Sequence, residues 1–421
     1  MVKTKTEKNK SAKFLNLVGK HRETKKEEKF HGTLKEYLAI LEDGLGITQL
    51  AHKRLYSVIA KEGITKLSKS NARCSKLFGG EELKTYDYFQ SKFFGMERSL
   101  AKIMRFLRSA SLKGEESRQV LLLLGPVGAG KSALLEHIKM ALESCEPMYH
   151  IEGCPIHEEP LHLIPRSLRS DFEEIYGGRI EGDLCLNGAF NVGNRGIVEF
   201  VEVFKNEIEF LHTMITATQE KAVPSPGKGP MIYFDGVILA HCNEAEWNKF
   251  KSESTNEAIL DRIVRVNIPY CLEYSEEQKI YEKLLALSDF DGHIAPHTLE
   301  IASMFSVLSR LHPSNKVDSM TKMKLYDGKD VIEKGHIKKV DINDLREESR
   351  DEGMTGISTR FIMKAIDAAL SDSDKNMVTP TSIRDSLIKQ VKDQIVVEDD
   401  RNRYLGFLGK TLHEEYLSIL E

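Results

Sequence analysis

An eight-residue segment of this chain has the residue types and the spacing that hold phosphate groups. It follows a short apolar run, Val120 to Leu124, and precedes a helical pattern over residues 132–144. Glycines let the backbone turn tightly around an anion with several N–H groups pointing inward, and the helix directs its positive amino-terminal end at the same point. We therefore predict a nucleotide-phosphate loop at Gly125, Pro126, Val127, Gly128, Ala129, Gly130, Lys131 and Ser132.

The last two residues of this loop supply the polar chemistry. Lys131 can reach the β- and γ-phosphates of a nucleoside triphosphate, and the Ser132 hydroxyl can ligate the Mg²⁺ that bridges them. The alternative is a glycine-rich turn without a function, but composition alone produces such a pattern in a chain of this length on the order of one time in a hundred. We therefore expect ATP and Mg²⁺ as cofactors.

The composition of the chain limits its partners and its location. The 421 residues carry a formal net charge of −4, so the chain has no general attraction for nucleic acid. Residues 1–30 hold ten Lys or Arg against four Glu, and we expect a solvated, flexible tail there. The sequence has no apolar run long enough to predict a membrane span, and its six cysteines lack Cys-x2-Cys spacing, which suits a reducing compartment. We expect a cytoplasmic protein.

The order of predicted elements changes after Pro269. Before it, strand and helix patterns alternate, and an Asp-Gly turn predicts a hairpin over residues 231–240. After it, the pattern is almost wholly helical, which indicates a parallel α/β domain followed by an all-α domain. The predicted helices of that second part cover residues 275–287, 298–311, 358–371 and 380–396. The predicted regions are a basic tail (1–30), an N-terminal helical segment (31–86), an α/β nucleotide-binding core (87–272), a helical lid (273–397) with a charged insertion (312–350), and a C-terminal helix (398–421).

Six further blocks follow one another in a recognisable order. They are Phe-Phe-Gly-Met-Glu (93–97), Gly-Cys-Pro-Ile-His-Glu-Glu-Pro-Leu-His-Leu-Ile-Pro (153–165), Asn-Arg-Gly-Ile-Val-Glu-Phe-Val-Glu (194–202), Ala-His-Cys-Asn-Glu (240–244), Lys-Met-Lys-Leu-Tyr-Asp-Gly (322–328) and Gly-Ile-Ser-Thr-Arg-Phe (356–361). With the phosphate loop, they resemble the PrkA family of bacterial serine protein kinases. This resemblance implies the fold class of an AAA+ P-loop NTPase, which is α/β with a parallel sheet core followed by an all-α lid. PrkA proteins usually carry a further domain compared with kinases, and we expect it to be missing from this chain.

The resemblance also implies a carboxylate pair at the end of a strand, one for the Mg²⁺ shell and one to activate water. Glu202 matches the catalytic glutamate, but Val201 stands where an aspartate is usual, and Glu199 could take over its metal role. A rival is Asp235, which follows four apolar residues. We favour Glu202, because an Asp-Gly turn of the predicted hairpin explains Asp235.

Four more positions carry roles that the resemblance implies. Asn243 matches a polar residue that orients the attacking water, although it could simply cap a strand end. Arg262 matches an arginine finger that reaches the site of a neighbouring subunit, and Arg360 matches a lid arginine that reaches the γ-phosphate. A helix-end arginine and a structural ion pair are the respective alternatives. Gly95 and Met96 could line the adenine pocket. A trans-acting arginine needs an oligomer, and the family implies a ring, commonly a hexamer.

The name of the family implies protein phosphorylation, but the residues do not show a protein-kinase site. The chain has no His-Arg-Asp catalytic loop, and residues 289–292 read Asp-Phe-Asp-Gly rather than Asp-Phe-Gly. It also has no evident Ser-Lys or Ser-His-Asp grouping for a protease. Our main hypothesis is an ATPase that converts hydrolysis into movement of lid and core. The alternatives are a Ser/Thr kinase acting on an unknown protein substrate, an ATP-dependent protease, and a nucleotide-binding scaffold that hydrolyses weakly.

Overall fold

The computed structural model describes most of the chain. Most of the predicted basic tail and part of the 153–165 block lie outside the described residues. The described residues are 15–20, 30–42, 48–67, 76–145, 149–153, 159–176, 190, 193–206, 208–224, 231–288, 292–333, 336–337, 340–372 and 376–421.

Helices make up most of the regular structure in these ranges. The helices are α1 (Leu34–Glu42), α2 (Ala51–Lys61), α3 (Asp87–Gln90), α4 (Glu97–Ser111), α5 (Lys131–Glu143), α6 (Arg169–Tyr176), α7 (Ile208–Gln219), α8 (Glu244–Ser252), α9 (Glu257–Leu260), α10 (Tyr274–Ala286), α11 (Thr298–Arg310), α12 (Ser319–Tyr326), α13 (Ile342–Glu348), α14 (Thr359–Ser371), α15 (Pro380–Gln394), α16 (Glu398–Gly406) and α17 (Leu412–Leu420). The strands are β1 (Ile64–Leu67), β2 (Leu83–Tyr86), β3 (Val120–Leu124), β4 (Gly196–Val201), β5 (Ala222–Pro224), β6 (Met231–Tyr233), β7 (Gly236–Cys242), β8 (Ile263–Asn267), β9 (His293–Ile294), β10 (Ile332–Glu333), β11 (His336–Ile337) and β12 (Met377–Val378).

The chain divides into two compact units. The smaller one is drawn from Met1–Gln49, Glu146–Asn194 and Pro224–Phe234. Its described part contains α1 and α6, and its small apolar core is formed by Tyr37, Leu41, Leu161 and Phe172. The larger one comprises Leu50–Cys145, Arg195–Val223 and Asp235–Glu421, and it holds the central sheet and the later helices.

A parallel four-stranded sheet forms the centre of the larger unit, in the order β4-β7-β3-β8. In its register, Leu121 of β3 lies opposite Leu239 of β7 and Val264 of β8. Every residue of β3 and β7 is buried, as expected for strands that are covered on both faces. The predicted parallel α/β core is therefore confirmed. The carboxyl ends of β3, β4 and β7 meet at one edge of the sheet, which is where parallel sheets bind ligands.

Helices α2, α4 and α5 share an apolar core with the sheet. Their buried side chains recur three or four residues apart, so each helix turns one face toward the strands. The fully buried members of this core include Leu55, Ile59, Ile103, Leu107, Leu134, Ile138, Leu121 and Leu239.

The predicted hairpin over residues 231–240 is wrong. Strand β7 pairs with β4 on one side and with β3 on the other, and both pairings are parallel. A strand with both edges occupied in this way cannot be the second arm of a hairpin. The prediction failed because a short apolar strand after an Asp-Gly pair has the same local pattern whether it is a hairpin arm or a central strand of a parallel sheet.

Helices after residue 272 pack around α11, in which every residue from Ile301 to Arg310 is buried. The four helices predicted in this part begin and end within two residues of α10, α11, α14 and α15. The charged insertion at 312–350 also contributes to this core, since Met323, Tyr326 and Leu345 are buried in it.

Two other parts of the chain differ from the prediction. The predicted N-terminal helical segment at 31–86 contains an antiparallel pair, β1 with β2, and the helical part contains a short parallel pair, β9 with β12. Such short strands fall below the length at which periodicity is informative. Among the described residues, no helix is both long and apolar enough to cross a membrane.

Candidate functional site

The predicted phosphate loop connects β3 to α5 at the carboxyl edge of the sheet. Gly128 and Gly130 both have a φ of +87°, a left-handed conformation that glycine adopts without steric cost. The Ala129 N–H donates to the Pro126 carbonyl at 3.3 Å. Because α5 begins at Lys131, its first amide groups lack partners within the helix and face the loop. The loop can therefore hold an anion as predicted.

Lys131 lies inside this loop. Its Nζ donates to the carbonyl oxygens of Gly125 at 2.6 Å and Pro126 at 2.9 Å. Burial lowers the pKa of Lys131, while the nearby Cys242 and Glu246 act in the opposite direction. The backbone thus positions the ammonium group beside the amide groups that would receive phosphate.

A cavity of about 480 Å³ opens beside the loop, a volume within the range of ligand sites in proteins. Its wall is formed by the loop, residues 92–94, Met96, residues 269–271, the ends of β4 and β7, and helices α10 and α14. Cationic side chains outnumber carboxylates on this wall, which favours an anionic ligand. The cations are Lys92, Lys131, Lys283 and Arg360, and the carboxylates are Glu202 and Glu277.

Most of the predicted site residues meet at this cavity. Those on its wall are Met96, Val127, Gly128, Ala129, Gly130, Lys131, Ser132, Glu202, Asn243 and Arg360. Gly125 and Pro126 support the loop through their contacts with Lys131. Gly95, Glu199 and Arg262 do not line the cavity.

Glu202 stands directly after β4, with a φ of +50°. Its Oε2 accepts a hydrogen bond from Lys205 Nζ at 2.6 Å. Lys205 Nζ also lies 3.4 Å from Glu246 Oε1. The hydrogen bond and the charge of Lys205 lower the pKa of Glu202. Left-handed backbone in a non-glycine residue is uncommon and often marks a functional position. Glu202 lines the cavity, and Lys205 holds its carboxylate.

Glu199 lies within β4 and is engaged by other side chains. It forms an ion pair with Lys139 of α5, and its Oε1 lies 3.7 Å from His241 Nε2. His241 is the register partner of Val201 and lines the cavity. The imidazole therefore stands beside Val201, the position at which the resemblance predicts an aspartate.

Asn243 follows β7, and its side chain caps the helix that begins after it. Its Oδ1 accepts the Glu246 N–H at 2.9 Å and caps α8. The residue also lines the cavity, so the cap fixes the position of an amide group beside the phosphate loop.

Asp235 lies at the opposite end of the same strand. It directly precedes β7, whereas the cavity residues Cys242 and Asn243 are at the carboxyl end. Its Oδ2 accepts the Ala51 N–H at 3.0 Å, and burial raises its pKa. The predicted hairpin turn does not explain this aspartate; it is a buried hydrogen-bond acceptor for the start of α2.

Arg262 precedes β8 and lies at the amino edge of the sheet. Its carbonyl accepts the Val120 N–H at 3.0 Å, and its Nη1 donates to the Ala258 carbonyl at 2.5 Å. Five residues of β3 separate this edge from the phosphate loop, about 16 Å of strand. Arg262 is therefore remote from the cavity of its own chain.

Much of the wall formed by residues 92–94, Met96 and α10 is apolar, although Lys92 and Lys283 also belong to it. Its apolar side chains are those of Phe93, Phe94 and Met96 together with Ile280 and Leu284 of α10. Gly95 has a φ of +67°, and a Cβ there would lie 2.5 Å from Cys271 Sγ. The glycine thus allows the segment to approach Cys271 closely, and Met96 provides the surface that an apolar ring could contact.

Sequence reasoning missed several residues on the lid side of the cavity. Glu277 is only 1% exposed and forms an ion pair of 2.7 Å with the fully buried Arg310. Tyr270 donates its hydroxyl hydrogen to the Val127 carbonyl at 2.6 Å. Nothing local in the sequence distinguishes Glu277 from an exposed helical glutamate, because its burial depends on a partner 33 residues away.

The sheet order, the phosphate loop at its carboxyl edge and the helical lid that shares the cavity define a P-loop NTPase of the AAA+ class. Residues 32–187 and 183–318 match the model of the PrkA AAA domain. Residues 320–421 match the model of the PrkA serine protein kinase C-terminal domain. The chain therefore belongs to the PrkA family. The expectation that this chain lacks the family's C-terminal domain is wrong, because residues 320–421 match it.

Two curated relatives cover nearly all of this chain. The chain is 33% identical to "ATP-dependent protease PrkA" of Bacillus subtilis (strain 168), over 95% of this chain and 74% of the relative. It is 31% identical to "Serine/threonine kinase YeaG" of Escherichia coli (strain K12), over 94% of this chain and 73% of the relative. A solved structure of a single-residue variant of Thermotoga maritima RuvB overlaps 76% of this chain and 83% of its own at 13% identity, with a TM-score of 0.35. A similarity that low carries no argument about function.

Proposed function

We propose that this protein binds ATP with Mg²⁺ in the cavity and hydrolyses it at a boundary between subunits, which moves the helical lid relative to the sheet core. One observation carries this proposal. Lys131, Ser132, Glu202 and Asn243 converge on one cavity with the lid residue Arg360, whereas Arg262 is at the opposite edge of the same sheet. An arginine in that place can serve a neighbouring subunit but not its own.

The residues at the loop fit a magnesium-bound triphosphate. The Ser132 hydroxyl and the Glu202 carboxylate both line the cavity, and oxygen donors are what Mg²⁺ prefers. We infer that Ser132 holds the metal and that Glu199 reaches it only after leaving Lys139, its present partner. When bound, the metal supplies charge neutralisation between the β- and γ-phosphates.

Four polar residues of the cavity have separate tasks in this proposal. Lys131 neutralises phosphate charge, and Arg360 contacts the γ-phosphate from the lid. Asn243 orients a water molecule, and Glu202 accepts its proton. Since Lys205 lowers the pKa of Glu202, the paired glutamate is a weak base. We infer that hydrolysis requires Glu202 to leave Lys205.

The role of Arg262 requires self-association, for which we propose a ring, commonly a hexamer in this family. The test mixes two inactive variants, Lys131→Ala and Arg262→Ala. A mixed ring contains boundaries at which an intact phosphate loop meets an intact Arg262, so we expect ATP turnover above that of either variant alone. Turnover that stays at the level of the separate variants, in mixtures shown to co-assemble, would exclude a trans role for Arg262.

Protein Ser/Thr phosphorylation is the second candidate function. The name of the Escherichia coli relative, "Serine/threonine kinase YeaG", favours it, whereas the Bacillus subtilis relative is named a protease. Incubation with γ-labelled ATP and candidate protein substrates separates these functions. Label on a Ser or Thr that depends on Lys131 would support a kinase. Free phosphate without label transfer would support the ATPase, and cleavage of the substrate would support the protease.

A nucleotide-binding scaffold that hydrolyses ATP weakly is an alternative function. Val201 favours it, because this apolar residue stands where an aspartate was expected to ligate the metal. Tight ATP binding with negligible turnover in an assembled oligomer would support it.

We also propose that the protein works in the cytoplasm on a protein substrate. Cys242 and Cys271 are buried thiols outside any disulfide, which is consistent with a reducing compartment.

A further inference from the structure

We propose that Tyr270, Arg310 and Glu277 are positioning residues that hold Arg360 over the phosphate loop and thereby set the preference of the site for ATP over ADP. This role rests on the nucleotide binding proposed above. The three side chains connect the phosphate loop to the first residues of α14, although they come from separate parts of the chain.

Arg310 and Glu277 form the centre of this connection. Both side chains are buried, with exposures of 0% and 1%, and Arg310 Nη2 lies 2.7 Å from Glu277 Oε1. Arg310 Nη1 also donates to the Cys271 carbonyl at 2.8 Å. Two desolvated charges are stable only with good geometry and further hydrogen bonds, so this pair has little freedom to move independently of its surroundings.

The same pair fixes the start of α14. Arg310 Nε donates to the Ile357 carbonyl at 3.0 Å, and Thr359 Oγ1 donates to Glu277 Oε1 at 3.3 Å. Gly356 has a φ of +109°, and a Cβ there would lie 2.8 Å from Arg310 Cγ. The backbone just before α14 therefore packs directly on the arginine. Arg360 is the next residue after Thr359, so its position follows that of the pair.

Tyr270 extends the connection to the phosphate loop. The Arg310 guanidinium lies 4.7 Å from the centre of its ring, which is within cation–π range. The Tyr270 hydroxyl donates to the Val127 carbonyl at 2.6 Å. The loop and the helix start are close at this point, since a Cβ on Gly128 would lie 3.6 Å from Ser358 Cβ. A shift of the loop would therefore be transmitted to α14 through Tyr270 and Arg310.

This geometry predicts a selective effect on nucleotide preference. ATP differs from ADP by the γ-phosphate, and Arg360 is the lid residue assigned to that group. A ligand changes an equilibrium only through contacts that differ between two states. Loosening α14 should therefore weaken ATP binding, while ADP, which keeps its contacts with the loop, should be much less affected.

Tyr270→Phe tests this effect with a small change. The variant loses the hydrogen bond to Val127 but keeps the ring beneath Arg310. Dissociation constants for Mg-ATP and Mg-ADP are measured by equilibrium binding in the full chain carrying Glu202→Gln, so that ATP is not consumed. We expect ATP affinity to fall about fivefold relative to ADP affinity, the size of one lost hydrogen bond.

Two companion variants identify the route of the effect. In an Arg360→Ala background, Tyr270→Phe should no longer change the ratio of the two affinities, because the residue through which it acts is missing. Tyr326→Phe is the matched control, since it loses a buried hydroxyl bond to Glu352 away from the cavity. It should leave the ratio unchanged.

Three outcomes would overturn the inference. They are an unchanged ratio in Tyr270→Phe, an equal change in the Arg360→Ala background, or the same change in Tyr326→Phe. If the chain with Glu202→Gln alone binds neither nucleotide, the proposed function fails and the inference fails with it. Binding of both nucleotides with an unchanged ratio overturns the inference alone.

Discussion

The two sides of the cavity are built in different ways. The phosphate side comes from one continuous segment, in which Lys131 is held by carbonyls five and six residues before it. The lid side depends on an ion pair between Glu277 and Arg310, which are 33 residues apart. Hydrogen bonds from nearby backbone form one side, and two buried charges form the other.

Because of this difference, we expect the phosphate side to contribute mainly to nucleotide binding and turnover, and the lid side to contribute also to the stability of the fold. The hydrogen bonds that hold Lys131 come from neighbouring backbone, so they need no charged partner from a distant part of the chain. A buried ion pair must be complete, because removing one partner leaves the other charge desolvated. We therefore expect substitutions on the phosphate side to affect turnover more than folding, and substitutions on the lid side to affect folding as well as nucleotide preference.

Glu277→Gln should have the largest effect and tests the lid side. The variant keeps the shape of the side chain but leaves Arg310 buried without a counter-charge, so we expect the free energy of unfolding to fall by about 3 kcal/mol. Urea unfolding followed by circular dichroism measures this change. Glu282→Gln is the control on the same helix, because that carboxylate is exposed, and its effect should stay below about 0.5 kcal/mol. Equal losses of unfolding free energy in Glu277→Gln and Glu282→Gln would show that the buried ion pair does not stabilise the lid side.

Lys131→Ala should have the next largest effect and tests the phosphate side. It removes a charge placed where negative charge develops during phosphoryl transfer, and we expect ATP turnover to fall about 100-fold or more. A phosphate-release assay measures the rate, and urea unfolding shows whether the loss of stability is smaller than in Glu277→Gln. Lys102→Ala, an exposed lysine on α4, should retain full turnover. A stability loss in Lys131→Ala as large as that in Glu277→Gln would remove the distinction between the two sides.

Lys205→Met should have the smallest effect and sharpens the comparison at Glu202. Lys205 lowers the pKa of Glu202, so its loss should let that pKa rise toward its ordinary value. A general base must be deprotonated to act, and the acid limb of the pH profile of kcat/KM should therefore move to higher pH. The shift should vanish in 1 M salt, which already screens the exposed pair in the unsubstituted protein. A shift to lower pH would contradict the proposed role of Glu202 as the base.

Local patterns in the sequence predicted the elements and part of the site. The buried run Val120–Leu124, the glycines after it and the start of α5 were all readable because each depends on neighbouring residues. Helices α5, α10, α11, α14 and α15 were predicted to within two residues for the same reason. The convergence of Glu202, Asn243 and Arg360 on one cavity agrees with the resemblance to the family, while their individual roles stay predictions.

Only the tertiary structure determined which residues are partners across the chain. Strand β7 could have been a hairpin arm or a central strand until its two parallel neighbours were seen. Asp235 is a buried acceptor for α2 because the sheet brings residues 51 and 235 together.

The same limit applies to the buried pair and to Glu199. Two ion pairs could not be predicted from periodicity or spacing. They join Glu199 to Lys139 and Glu277 to Arg310. Sequence determines short-range backbone geometry, because that geometry is set by adjacent side chains and dihedral preferences. Ion pairs in the interior are set by long-range packing, which brings together residues whose local patterns are ordinary.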